Sequence, residues 1–248
     1  MPITAAELIC FGSDVHPEDD VTAGVGGAID TLIRVGFETP LAANDTVDCL
    51  SDAADTRTVT VTGRLASGAI DSEAFILTGT TPVVGLKTFE RILKAVTTSD
   101  PTETVTIRRS SAGATVILIP PVTTEVRRMN YDSVSSGSTK KVYEKLHWKN
   151  TNGTLTLTNP FTTLNSHLAD PDGGVKIAVT LVKNDIVTVA TRLITPPTVT
   201  FVDDGTDQAA PSDLAAGDSI GIWIEVNLGV NDAAFKGNYV TQLKGTTV

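Results

Sequence analysis

Residues able to do chemistry are few in this sequence, and most stand at spacings that chemistry does not use. The stretch "LTGTTPVVGLKTFERILKAV" (Leu77 to Val96) comes nearest to a phosphate-binding loop, with Gly79, Gly85, Lys87 and Thr88 following an apolar run. A phosphate loop places its lysine directly after the second glycine, so that the ammonium and the loop amides converge on one phosphate. Here Leu86 intervenes, five residues separate the glycines, and Pro82 removes an amide donor. A strand, a Gly-Thr-Thr-Pro turn and a further element are expected instead. "SDVHPEDD" (Ser13 to Asp20) gathers Asp14, His16, Glu18, Asp19 and Asp20. Its spacing is not that of a calcium or zinc site, and a solvated acidic loop is expected. "ADPDGG" (Ala169 to Gly174) and "FVDDGTD" (Phe201 to Asp207) lack the calcium-loop register and read as Asx-type turns.

The histidines are His16, His147 and His167, and no nucleophile elbow accompanies any of them. His147, beside Trp148 in a strand pattern, reads as a packed or hydrogen-bonded ring. Trp223, between Ile222 and Ile224, is expected at a sheet or interface surface, with sugar stacking as a minor alternative. No catalytic, cofactor-binding or metal-ligating residue is assigned, no cofactor is expected, and the chain reads as a non-enzyme.

The elements that would carry these residues are short strands. "DTRTVTVTGR" (Asp55 to Arg64) alternates Val59 and Val61 with threonines, and "SEAFILTG" (Ser72 to Gly79) returns after a glycine-containing turn. "ETVTIRRSSAGATVILIPP" (Glu103 to Pro121) is a hairpin closed by Ser-Ser-Ala-Gly and ended by two prolines. Phe89, Ile92, Leu93 and Val96 fall at helical spacing, yet their surroundings are extended; a bulged strand is preferred there, with a helix as the alternative. "KVYEKLHWKN" (Lys141 to Asn150), "GTLTLTN", "GGVKIAVTLVKND" (Gly173 to Asp185), "TVATRL", "TVTFVDDG" and "SIGIWIEVNL" (Ser219 to Leu228) continue the series. Strands at this spacing predict an all-β protein with two β-sandwich domains, Ig-like or jelly-roll-like. The divisions expected are an extended N-terminal arm over 1–28, a first domain over 29–129, a Ser/Gly-rich linker over 130–141 and a second domain over 142–248. The arm is expected to be ordered by a neighbouring subunit or not at all.

The formal net charge of −10 argues against a nucleic-acid partner, which would call for a basic face. No apolar run is long enough to span a bilayer, so no membrane association is expected. Cys10 and Cys49 are too few for a disulfide framework, and with no secretion signal at the N-terminus both are expected as free thiols in a reducing cytoplasm.

Several phrases resemble a group of tailed-bacteriophage virion structural proteins: 55–92, "TVTIRRSSAGATVILIPP" (Thr104 to Pro121), "YEKLHWKNTNGTLTLTN" (Tyr143 to Asn159), "TRLITPPTVTFVDDG" (Thr191 to Gly205) and "LAAGDSIGIWIEVNL" (Leu214 to Leu228). The group's hairpin pattern, V-x-G-x-x-x-x-G followed by LxGTTPV and a later phenylalanine, is matched at Val61, Gly63, Gly68, Leu77 to Val83 and Phe89. The resemblance covers most of 29–248 and rests on structural rather than catalytic motifs. It implies a virion component assembled in the bacterial host cytoplasm. The leading expectation is a capsid decoration (cement) protein that stabilises the head as a homo-oligomer bound to the major capsid protein or other virion proteins. A neck, tail or baseplate component is the alternative, and a carbohydrate- or receptor-binding module the third.

Overall fold

The structure, a computed structural model, describes residues 2–18, 21–39, 41, 43–111, 113–129, 139–167, 174–203, 205–229 and 239–247. The strands in chain order are β1 (Leu8–Val15), β2 (Val25–Val35), β3 (Val47–Ser51), β4 (Thr58–Leu65), β5 (Ile70–Ile76), β6 (Val83–Val84), β7 (Phe89–Thr97), β8 (Val105–Arg109) and β9 (Thr115–Ile119). They continue with β10 (Glu125–Arg127), β11 (Lys140–Asn150), β12 (Leu157–His167), β13 (Val175–Lys183), β14 (Thr188–Val189), β15 (Gln208–Ala209), β16 (Ser219–Leu228) and β17 (Tyr239–Thr247). The fold is all-β and of sandwich type. The chain divides into two compact units, 1–30 with 130–248, and 31–129. The division falls inside β2.

The unit of 31–129 is built from two layers. One carries the second half of β2, then β10, β7, β4 and β5; the other has the order β6, β3, β8, β9. Val59, Val61, Phe75, Phe89, Ile92 and Ala95 from the first layer meet Val47, Cys49, Val105, Ile107, Ile117 and Ile119 from the second in one apolar core. The β4 alternation survives as an alternation of burial, with Val59, Val61 and Gly63 inward. At about 25 cal/mol for each Å² of apolar surface withdrawn from water, such a core is the main stabilising contribution to the unit.

The helix-like spacing in β7 has a strand explanation. Pairing with β4 runs Thr62↔Lys94 and then Gly63↔Ile92, so Leu93 is an extra residue on β7; it next runs Arg64↔Arg91 and Leu65↔Phe89, which makes Glu90 extra. Two bulges three residues apart break the period of two and imitate a period of 3.6.

The unit of 1–30 with 130–248 has a larger sheet, ordered β13, β16, β11, β1 and the first half of β2, with β14 also on β2. A three-stranded sheet, β15, β12, β17, completes it. The expected loose arm is corrected here. Leu8 to Gly12 pair with Asn150 to Leu146 of β11, so the N-terminal segment is a strand inside its own unit. The low periodicity of Leu8–Val15 reflects a strand flanked on both sides rather than a segment without partners. The linker expected over 130–141 lies outside the described residues as far as 138, and Lys140 and Lys141 already belong to β11.

Two further expectations are revised. "TVATRL" supplies only the two-residue β14, and "TVTFVDDG" contributes a lone bridge, Val202 to Ile177. Pro196, Pro197 and the positive φ of Thr198 interrupt the pairing that their β-branched neighbours favour. Conversely, β12 runs on through Pro160, because a register shift between Thr158 and Phe161 places the proline where no ladder bond is needed.

Candidate functional site

The donors at the heart of the near phosphate loop are already used. Glu73 accepts hydrogen bonds from the amides of Leu86 (2.7 Å) and Lys87 (3.0 Å), and the Gly85 amide donates to the Val47 carbonyl (2.8 Å). The Lys87 ammonium lies 2.6 Å from Asp71. The amides of Gly85, Leu86 and Lys87 and the Lys87 ammonium are thus already bonded, to groups on β3 and β5.

Charged side chains converge instead within the unit of 1–30 and 130–248, around β11. From Val142 to His147 every residue of this strand is buried, so both of its faces are covered. Lys145 is fully buried; its Nζ donates to Asp185 Oδ2 at 2.6 Å and to the carbonyls of Gly27 (2.8 Å), Val187 (3.1 Å) and Asp185 (3.3 Å). The Trp223 ring, opposite Lys145 on β16, lies 5.4 Å from that nitrogen. Two glycines of β2 make room. A Cβ on Gly26 would fall 2.6 Å from the Val187 carbonyl oxygen and 2.8 Å from the Trp223 ring. One on Gly27 would meet the Asp14 carboxylate at 1.8 Å. Both have positive φ, which glycine alone adopts without strain.

Neighbouring groups extend the cluster. Glu144 pairs with the fully buried Arg192 and has His16 Nδ1 at 3.8 Å from its other oxygen. The Ser13 amide donates to His16 Nε2 at 2.8 Å, and the Ser13 hydroxyl to the Lys145 carbonyl at 2.9 Å. Tyr143 donates to Glu225 at 2.9 Å, and Lys141 lies 3.0 Å from the other Glu225 oxygen. A buried charge is tolerable only when paired in this way. Burial pushes the Lys145 ammonium below its ordinary value, opposed by the hydrogen bond to Asp185 and the charges of Asp185 and Asp14. Burial, with the Lys145 charge added, drives His147 down to about 3 against the pull of the Gly27 backbone and Asp185. His147 is therefore held in its neutral form.

Expectations for single residues are sorted accordingly. His147 is packed, as its place in β11 suggests. Trp223 is 1% exposed and lies in the core with Val25, Tyr143, Ala178 and Val189, which corrects its expected surface position. "SDVHPEDD" is not simply a solvated loop: Ser13, Pro17 and the His16 side chain are buried, Asp14 is exposed, and residues 19 and 20 lie outside the described residues. The turn expected at 169–174 lies outside them as far as 173, and for His167 only the backbone is described. Asp203 pairs with Lys176 at 3.0 Å, and Asp207 accepts from the Thr163 hydroxyl. Among the described residues no group of three His, Cys, Asp or Glu side chains could hold a metal ion. Cys10 and Cys49 are free thiols, and burial, seconded by Asp48 and Glu73, raises Cys49 far from the thiolate form that reacts. A cavity of about 300 Å³ beside β13, lined by Val179, Thr180, Leu181, Thr200, Gln208, Ala209 and Pro211, contains no ionisable side chain.

The sequence reading passed over Lys145, Asp185, Glu144, Arg192 and Glu225. The available signal was parity. In Lys141 to Asn150 the apolar residues Val142, Tyr143, Leu146 and Trp148 fall on both parities, so the charged residues between them cannot all face water.

No family model matches the chain, and no curated protein matches it. Among solved structures, infectious bursal virus-derived T=1 particles are 13% identical, over 97% of this chain and 68% of that one, with a TM-score of 0.17. A point mutant of the VP2 protein of infectious bursal disease virus, also as T=1 particles, is 12% identical over 100% and 69%, at 0.16. The VP2 subviral particle of that virus is 12% identical over 97% and 70%, at 0.14. At these TM-scores the likenesses carry no weight for fold or for function.

Proposed function

We propose that the chain is a non-enzymatic structural protein of a virion, specifically a decoration protein that binds the capsid lattice of a tailed phage as a homo-oligomer and cements neighbouring capsomers. What carries this reading is the resemblance to tailed-phage virion proteins, in the hairpin pattern from Val61 to Phe89 and in the phrase Leu214 to Leu228. Two physical features support it. The ionisable cluster is bonded into the core rather than presented in a cleft. Apolar side chains stand outward at the end of β13 and beyond it, with Leu181 64%, Val182 57% and Ile186 71% exposed, the kind of surface that marks a protein contact.

Of the two indoles that a sugar-binding module could stack upon, Trp223 is buried, and Trp148 is half-buried with its Nε1 donating to the Thr241 hydroxyl at 3.3 Å. A neck, tail or baseplate part would share the same features and is separated by experiment. Purified chain is mixed with particles that lack it, sedimented, and heated. A decoration protein binds to a fixed ratio per capsomer and raises the temperature at which heads release DNA. Binding confined to tails, or heads that burst at an unchanged temperature, would reject the cement role.

A further inference from the structure

The pair of Lys145 and Asp185 has the parts of a bond-forming site. Lys145 is fully buried on β11, the Asp185 side chain is 8% exposed in the turn between β13 and β14, and Nζ lies 2.6 Å from Oδ2. The lysine is held from three sides by the carbonyls of Gly27, Val187 and Asp185, none of which can take up a proton. The Trp223 ring closes a further side. Reacting atoms about 3–3.5 Å apart and held in place react as if at very high concentration. A nitrogen already at hydrogen-bond distance from one carboxyl oxygen fits that geometry at the attached carbon.

We propose that Lys145 and Asp185 condense within the folded chain to an isopeptide bond that ties β11 to the turn between β13 and β14. A proton passes from the ammonium to the Asp185 carboxylate, giving a neutral amine and a neutral acid. Nζ then attacks Cγ, the new C–N bond forms, and one Cγ–O bond breaks. The ammonium gives up two protons in all, and both leave on the departing oxygen as water. One positive and one negative charge disappear together, so the net charge is unchanged and no other reactant is consumed.

The surroundings favour the neutral pair. Two desolvated charges become an uncharged amide, and burial already presses Lys145 toward the amine. After condensation the amide N–H keeps the Gly27 carbonyl as acceptor. The neighbours able to move protons are Asp14 and His147. Asp14 is exposed, rests against Gly27, and is close enough for its charge to act on Lys145. His147 is neutral and feels the Lys145 charge in turn. The same proposal gives Asp14, beside Gly27, the relay of the second ammonium proton to the departing oxygen.

The full chain, purified, is denatured and its intact mass measured, and proteolytic peptides are then sequenced by mass spectrometry. The expected result is a chain lighter than its sequence by one water, with a branched peptide joining residues 145 and 185. Lys145→Arg, which keeps the cation but cannot form the amide, and Asp185→Ala both return the full sequence mass. Asp14→Asn slows formation on the order of 100-fold when followed after refolding. A parent chain at full sequence mass, with both peptides recovered linear after prolonged incubation, overturns the proposal. So does a loss of water that maps to an aspartyl succinimide elsewhere.

Discussion

The two units use the same strand vocabulary to enclose different interiors. In 31–129 the core is apolar, with Val59, Val61, Phe75, Phe89, Ile107 and Ile117 meeting across two layers. Two of its salt bridges, Arg57 with Asp55 and Arg108 with Asp48, have an arginine still part exposed, and the buried Arg127 pairs with the part-exposed Glu125. In 1–30 with 130–248 the interior holds Lys145, Glu144, Arg192, His147 and Glu225 beside Trp223 and Tyr143. An apolar core tolerates changes of size by degrees, whereas a buried ion pair stabilises only while both members are present. The comparison teaches that strand pattern alone does not reveal what a sandwich encloses.

The chain offers a way to follow the units separately. Both tryptophans and all three tyrosines fall within 130–248, so intrinsic fluorescence reports that unit alone, while far-ultraviolet circular dichroism reports both. Lys145→Ala leaves Asp185 buried without its partner, which costs about 3–5 kcal/mol. The fluorescence transition is expected to move to lower denaturant, while a dichroism component from 31–129 stays in place. Phe89→Ala opens a cavity in the other unit at a similar cost of about 3–5 kcal/mol. There the dichroism component should move while fluorescence does not. A shift of both signals in either variant would show that the two interiors are not independent.

Acid provides the next largest effect, and the pH at which it sets in differs between the units. His147 has an ordinary value of 6.5 and a folded value of about 3. Between these pH values the unfolded chain binds a proton that the folded chain does not. Stability of 1–30 with 130–248 is therefore present above pH 6.5 and falls as the pH drops toward 3, at up to about 1.4 kcal/mol per pH unit. In 31–129 the Asp45 carboxylate is held below its ordinary 3.8 by the Ser111 hydroxyl and then Arg109. Asp55 is held low too, because its hydrogen bonds from Arg57 and Thr102 outweigh burial. Those groups withdraw their stabilisation only below about pH 4. Urea midpoints by fluorescence should thus decline from near neutrality, and His147→Leu should flatten that decline. A fluorescence midpoint constant from pH 6.5 to 4.5 would contradict the assignment of a neutral, buried His147.

The smallest effect concerns the turn before β7. Glu73→Gln weakens the acceptor for the amides of Leu86 and Lys87 and is expected to cost about 1 kcal/mol, seen in dichroism alone. Inorganic phosphate should give no protection to either variant or parent. Stabilisation of the parent by phosphate would reopen the turn as an anion site.

Much of the architecture was legible because threonine and valine alternation is a local signal. β4, the β8–β9 hairpin and β16 all stand where their residues predicted them. The exceptions have physical causes. β7 hid its period behind two bulges, and the N-terminal strand β1 is flanked by β11 and β2, so its burial follows from distant partners. The buried cluster was illegible for the same reason. Lys145 meets Asp185 across 40 residues and Gly27 across 118, and no local pattern encodes either contact. Trp223 read as a surface ring because its neighbours Ile222 and Ile224 are apolar too. In β16 both faces are covered, and alternation carries no information about which side is inside.

The central claim is that this chain assembles on a virion head and that its ionisable residues serve the fold. Imaging purified phage particles that contain the chain by electron cryo-microscopy, with the chain labelled by a bound antibody fragment, tests it most directly. The account predicts density at every equivalent lattice position on the head, in fixed ratio to the major capsid protein. Label found only at the neck or tail would contradict it.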